Sequence, residues 1–370
     1  MPTRFLVAPD KFKGSLSAGE AADAIAEGIR RVFPDAEIDL CPIADGGEGF
    51  MESLAAALNA EWVSCPAVDA LDRPIDSRYA ISGKTAILEM AETSGLWRIS
   101  ADERSPLDAT TKGTGMQILD AIVRHGVDKV ILGIGGSATN DGGCGMARAL
   151  GVSFQDQEGN ELEPTPRNLE RVTKISMEGC IALPEIVAAC DVENPLLGKK
   201  GATAVFSAQK GAGPEDQVML ENALGRVVEL SKGELAAEIP GAGAAGGLGF
   251  GLLHFAGAGL ESGFDLIADL LGLKKRIAAA DHVVTGEGAL DHQSLAGKGP
   301  VALARMARDL SVPVTGFCGI TDEAARASGL FTEIHSLADS GLPLEVLIAN
   351  AGPMLTSMTA AAHTRHFIKS

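Results

Sequence analysis

The sequence predicts a two-domain α/β protein, in which a flavodoxin-like parallel-sheet domain is interrupted by an inserted mixed-sheet α/β domain. Three observations predict it. The chain has 370 residues, above the size at which one hydrophobic core stops growing. It is 46% hydrophobic but only 4% aromatic, with 45 glycines, a bias that suits parallel sheets closely covered by helices. Short apolar strands ending in glycine turns alternate with helical text, two such units before residue 62 and three after residue 280, and a different texture lies between. The expected boundaries are 1–62 with 236–370 for the discontinuous domain and 63–235 for the insert.

The first strand is Arg4 to Pro9, ending in Asp10-Lys11-Phe12-Lys13-Gly14-Ser15. Ser17 and Glu20 then form a capping box, and Ala21, Ile25, Ile29 and Val32 make the apolar face of the helix that follows. This puts Asp10 and Lys13 at the carboxyl end of a strand, where open α/β sheets bind ligands. Glu37 to Ile43 reads as the second strand, followed by Ala44-Asp45-Gly46-Gly47-Glu48-Gly49 and a helix over Met51–Leu58. Trp62–Val68, Ser77–Ile81 and Ala86–Met90 alternate like antiparallel strands. Gly83-Lys84-Thr85 falls in a hairpin, and the first glycine of a P-loop would fall at Arg78, so that motif is absent.

After a helix over Met116–His125 comes the stretch that organises the reading, Val130-Ile131-Leu132-Gly133-Ile134-Gly135-Gly136-Ser137-Ala138-Thr139-Asn140-Asp141-Gly142-Gly143. Its buried-strand opening and glycine turn lead to helical text from Met146, the parts of an anion cradle. Asp141 does not belong in a plain phosphate cradle. A divalent cation between the acid and a phosphate accounts for it. Gly133, Gly135 and Ala138 also match a dinucleotide fingerprint with Asp156 beyond, which supplies a competing reading as a nicotinamide-dependent hydroxy-acid oxidoreductase.

Further acids and lysines close later strands. Ile186–Asp191 is a buried strand leading to Asn194-Pro195, and Gln209-Lys210-Gly211 brings a lysine to a glycine turn. Pro240–Gly251 is a glycine-alanine stretch open to three readings: linker, close helix packing, or backbone approach to a ligand. Asp281–Thr285 reads as a strand ending in the turn Gly286-Glu287-Gly288, with Asp291, His292 and Gly297-Lys298-Gly299 beyond it. Val312–Ile320 and Thr332–Leu337 are the last strands, and Leu344–Ile368 is mainly helical.

A net charge of −18 repels nucleic acid and anionic membranes, and no Lys/Arg run offsets it locally. The six cysteines show no C-x-x-C spacing, so neither zinc nor a disulfide framework is indicated. With no leader or long apolar run, a cytoplasmic protein acting on small molecules is expected, as a monomer or homodimer.

Taken together, Ala8-Pro9-Asp10-x-Phe12-Lys13-Gly14-Ser15-Leu16-Ser17-Ala18, Ala44-Asp45-Gly46-Gly47-Glu48-Gly49, Gly135–Gly143, Cys190-Asp191-Val192-x-Asn194-Pro195-Leu196, Gln209-Lys210-Gly211-Ala212, Gly241–Gly247 and Thr285-Gly286-Glu287-Gly288 resemble the type I bacterial glycerate kinases. The resemblance runs nearly end to end. It implies ATP- and Mg²⁺-dependent phosphorylation of D-glycerate, usually to 2-phosphoglycerate, with the alternative product 3-phosphoglycerate. Lys11 departs from it, since the family most often has Ser there.

Phosphoryl transfer needs positioning, charge neutralisation and a group to take the hydroxyl proton. For the metal the candidates are Asp45, Asp141 and Glu287, and for the base Asp191 or Asp291. Lys13 and Lys210 are the catalytic cations. Nucleotide phosphates are expected on Gly135, Gly136, Ser137 and Asn140, and glycerate on Asp10, Ser15, Asn194 and Lys298, in a cleft between the domains.

Overall fold

In the computed structural model, which describes residues 3–43, 49–292, 294–296 and 299–369, the strands run in chain order β1 (Arg4–Val7), β2 (Glu37–Leu40), β3 (Glu61–Val68), β4 (Pro74–Ser82), β5 (Thr85–Glu89), β6 (Lys129–Gly133) and β7 (Ser153–Gln155). They continue as β8 (Lys174–Ser176), β9 (Glu185–Ala189), β10 (Gly259–Glu261), β11 (His282–Leu290), β12 (Val314–Thr321) and β13 (Glu333–Ser336).

Five of them form a sheet of order β13-β12-β11-β1-β2 with every pairing parallel. Counted within the sheet this is 2-1-3-4-5, the flavodoxin order, with everything from β3 to β10 inserted after its second strand. The helix Ala18–Val32 covers it. Ser17 accepts from the Glu20 N–H and Glu20 answers at the Ser17 backbone, so the capping box is formed, and Ala21, Ile25 and Ile29 are fully buried. They meet Phe5, Val7, Val284, Phe317 and Leu355 in one core.

β11 is longer than its sequence suggests. Gly286-Glu287-Gly288 was expected to be a turn, yet it continues the strand, with Gly286 opposite Phe317 and Glu287 opposite Cys318 on β12. A Cβ on Gly286 would overlap the Phe317 carbonyl oxygen. The glycine is there for close strand approach, not for turning.

The second sheet is mixed, of order β10-β9-β6-β5-β4-β3, antiparallel from β3 to β5 and parallel from β5 to β10. A small antiparallel pair, β7 and β8, accompanies it. The compact units are Met1–Asp45 with Phe264–Ser370, and Gly46–Gly263. Their limits differ from the expected 62/63 and 235/236 for physical reasons. β3 pairs with β4 from Glu61 onward, and Ala237, Phe250 and Phe255 lie in the core of the second unit with Leu224 and Phe154. All six cysteines are free thiols, Cys180 and Cys190 only partly buried.

Candidate functional site

The loop after β6 is fastened at several points. The Gly133 carbonyl accepts from Met90 N–H (2.9 Å), the Gly136 carbonyl from Leu96 N–H (2.8 Å), and Ala138 N–H donates to the Ser94 carbonyl (2.9 Å). Gly136 takes a positive φ of 73° and is exposed. Among the described residues, the N–H groups of Gly135, Gly136 and Ser137 have no hydrogen-bond partner. Three successive donors at the carboxyl end of a central strand, on residues open to solvent, are what an anionic oxygen cluster needs.

Asp141 holds the far side of the loop. It is fully buried, with Oδ2 accepting from the Thr111 N–H (2.8 Å), the Thr111 hydroxyl (2.8 Å) and Gly145 N–H (3.1 Å), and Oδ1 from Gly143 N–H (3.1 Å). Burial pushes its pKa up, against the pull of these donors. Asp141 was expected to hold a metal; in the structure both of its oxygens accept hydrogen bonds that shape the loop.

Lys210 was expected to be a catalytic cation. It is 2% exposed, and its ammonium donates to the Thr139 carbonyl at 2.7 Å. Burial lowers its pKa to about 7, and attraction to Asp141 opposes the shift. Asn140, buried beside it, donates from Nδ2 to the Thr203 hydroxyl (3.2 Å). The glycine-alanine stretch packs on this loop: Gly246 accepts from Gly142 N–H (3.1 Å), and a Cβ on Gly246 would overlap the Thr139 carbonyl. Ala245, Gly246 and Gly247 are all left-handed there.

Asp191 is exposed just beyond β9, and its Oδ1 accepts from Gly263 N–H (2.8 Å). Asn194 is fixed nearby, with Nδ2 donating to the Lys200 carbonyl (2.8 Å) and its carbonyl accepting from Gly243 N–H (2.8 Å). So Gly135, Gly136, Ser137, Asn140, Asp141, Asp191, Asn194 and Lys210 all belong to the second unit.

The first unit gathers its own group at the carboxyl ends of β1 and β11. Asp10 is buried, accepts from Lys11 N–H (2.6 Å), and lies against the first turn of the helix Gly299–Asp309, whose partial positive charge favours a carboxylate. Lys13 is exposed, its backbone close to Gly288, and Ser15 donates to the Phe12 carbonyl (2.9 Å). Glu287 stands partly exposed within β11. Asp291 accepts from Ser294 N–H (3.2 Å), so it caps the short turn Ser294–Ala296. His292 is on the surface, where its ring meets Asp322. Asp45 and Lys298 lie outside the described residues.

Sequence reasoning missed two residues. Thr111 supplies two of the donors to Asp141 and accepts from Met146 N–H (2.9 Å); its only signal was a threonine pair ahead of a helix. Glu89 is a buried acid ending β5 opposite Gly133, accepting from Met51 N–H (3.3 Å). An acid closing an apolar run was its signal.

The dinucleotide match fails on geometry. Ala138, where the fingerprint needs a helix start, is packed against Ala70, Ile99 and Ala109, and the next helix begins at Cys144. Asp156, the fingerprint's ribose partner, closes a local turn by accepting from Glu158 and Asn160 N–H (2.9 Å each).

Comparison with known proteins agrees with the fold. A profile described as the glycerate kinase family matches residues 5–366. The glycerate kinase of Bacillus subtilis (strain 168) is 39% identical over 353 residues, covering 92% of each chain. The glycerate 2-kinase of Escherichia coli (strain K12) is 42% identical over 337 residues, covering 86% of each. A solved Salmonella typhimurium LT2 structure, of a protein assigned as glycerate kinase 2, superposes with a TM-score of 0.87 at 37% identity over the full length of both chains.

Proposed function

The chain belongs to the glycerate kinase family, and from that premise we propose that it is an ATP- and Mg²⁺-dependent kinase converting D-glycerate to 2-phosphoglycerate. The single observation that carries the phosphate assignment is the run of three unpartnered N–H groups at Gly135, Gly136 and Ser137. These donors, with the Ser137 hydroxyl, receive the nucleotide phosphates. The similarity to a glycerate 2-kinase supports the position of transfer.

Groups of both units take part in this reading. The 2-hydroxyl oxygen of glycerate attacks the γ-phosphorus, the bond to the β,γ-bridging oxygen breaks, and ADP leaves. Asp191, exposed just beyond β9, takes the hydroxyl proton, with Asp291 as the alternative base. Lys13, exposed on a glycine turn, meets the negative charge of the reactants. Asp10, Ser15 and Asn194 are the proposed glycerate contacts, with Lys298 beside them in the sequence reading.

Among the described residues, no group of three His, Cys, Asp or Glu side chains is placed to hold a metal ion. The proposal takes Mg²⁺ as the partner of the ATP phosphates, where it neutralises charge; of the acids named for it, Glu287 is kept, Asp45 lies outside the described residues, and Asp141 is given the loop-shaping part. No helix among the described residues is long and apolar enough to cross a membrane, and the proposal places the enzyme in the cytoplasm as a monomer or homodimer.

A coupled assay with D-glycerate, ATP and Mg²⁺ tests the reading. ADP formation should require glycerate and stop with EDTA, and enolase alone should consume the product. ADP release indifferent to glycerate would reject the kinase reading, and a product that enolase ignores until a mutase is added would make it the 3-phosphate. Asp191→Asn should lower turnover by about 100-fold or more with the fold intact, as for a general base; an unchanged rate removes Asp191 from the mechanism.

A further inference from the structure

Lys210 and Asp141 grip one short piece of backbone from different directions. Asp141 collects N–H groups on the carboxyl side of the loop, while the Lys210 ammonium takes the Thr139 carbonyl two residues earlier. We propose that Lys210 is a positioning residue of the kinase reaction, holding the Thr139 carbonyl so that the donor run at Gly135–Ser137 keeps its phosphate-receiving shape before nucleotide arrives. The inference rests on the phosphate assignment made above.

Packing alone does not account for this lysine. A buried ammonium costs stability relative to an apolar side chain of similar length, so mere space-filling is better done by Met. The contact across which it works is sparsely bonded. The segment Thr203–Lys210 meets the loop through Lys210 to Thr139 and Asn140 to Thr203. Among the described residues, the Thr139 and Ser207 hydroxyls and the Asn140 Oδ1, all on fully buried residues, have no partner. Among the described residues, the Lys210 ammonium is the one hydrogen-bond donor to the Thr139 carbonyl. The ammonium also polarises that peptide, strengthening the Asn140 N–H as a donor.

The neighbouring glycines explain why a clamp is needed. Gly135 and Gly136 have no Cβ to restrict their dihedrals, and Gly136 sits at positive φ. A donor turn of this kind keeps one shape only if its flanks are fixed, here at Ala138 by the Ser94 carbonyl and at Thr139 by Lys210.

Steady-state kinetics of Lys210→Met and Lys210→Gln test the proposal against the wild-type enzyme. Lys210→Met should raise the KM for ATP about tenfold or more, the loss of one charge-assisted bond, while the KM for glycerate stays within about twofold. Lys210→Gln retains an N–H donor and should recover part of that loss. An unchanged KM for ATP in Lys210→Met, equal rises for both substrates, or no difference between Met and Gln would overturn the proposal. If Lys210→Met is not obtained folded, Lys210→Gln decides alone: an intermediate, ATP-selective rise supports the clamp and wild-type values reject it. Wild-type enzyme that makes no ADP from ATP and glycerate would instead reject the functional reading itself, so the two failures are distinct.

Discussion

Gly135–Gly145 and Gly286–Leu290 look alike in sequence, since each sets one acid among glycines at the end of an apolar strand. They fold in opposite ways. In the first, Asp141 turns inward and becomes the hub that receives Thr111, Gly143 and Gly145. In the second, the backbone runs on as β11 and Glu287 stays partly exposed, with β12 as the partner that fixes it. The glycines differ in the same way. At Gly136 the requirement is conformation, a positive φ with room to spare; at Gly286 it is space, because a Cβ would overlap the Phe317 carbonyl. An acid among glycines therefore says that a backbone is unusual, not how.

The largest effect that would test this contrast is at Asp141. Asp141→Ala leaves four buried donors without their acceptor, which should cost about 3–5 kcal/mol in a urea unfolding experiment. Asp141→Asn, which keeps the shape and part of the accepting capacity, should cost less. A metal ligand would behave differently, losing activity while stability held. Stability unchanged in Asp141→Ala would return this residue to the chemistry and collapse the contrast with Glu287.

Gly286→Ala comes next. Its methyl must push β12 away from β11, an overpacking that should cost about 2–3 kcal/mol and lower the transition of the unit that contains both strands. A thermal melt within a degree of wild type would mean that the strands tolerate a Cβ, and the space argument would fail.

Much of this architecture is legible in the sequence where the cause is local. Ser17 and Glu20 are three residues apart, so the capping box is visible and forms as expected. The apolar run at Val130–Leu132 announces β6, and the alternation from Trp62 announces the antiparallel edge. What was illegible is set by distant partners. The role of Asp141 depends on Thr111, 30 positions away, and that of Lys210 on Thr139, 71 positions away. Nothing in Gln209-Lys210-Gly211 says whether the ammonium faces solvent or a buried carbonyl. Gly286-Glu287-Gly288 reads as a turn because propensity sees glycines, while the structure obeys pairing with β12. The Pro240–Gly251 stretch is ambiguous by composition, and its packing is seen only in Gly246 lying on Thr139.

The smallest effect sharpens the comparison most. At Gly136 an added Cβ would meet nothing nearer than the Ala91 Cβ at 3.5 Å, ordinary contact, so Gly136→Ala carries only the cost of placing an L-residue at positive φ. That cost is about 1 kcal/mol, well below the penalty at Gly286. Function should respond in the other order. The relaxed turn at Gly136 tilts the N–H groups of Gly135–Ser137 out of alignment, so ATP binding should weaken several-fold, roughly one hydrogen bond's worth. Isothermal titration with ATP and urea unfolding on the same preparation give both numbers. A stability loss as large as that of Gly286→Ala, with ATP affinity unchanged, would mean that the first glycine also serves packing, and the donor run would no longer be the place where phosphate is received.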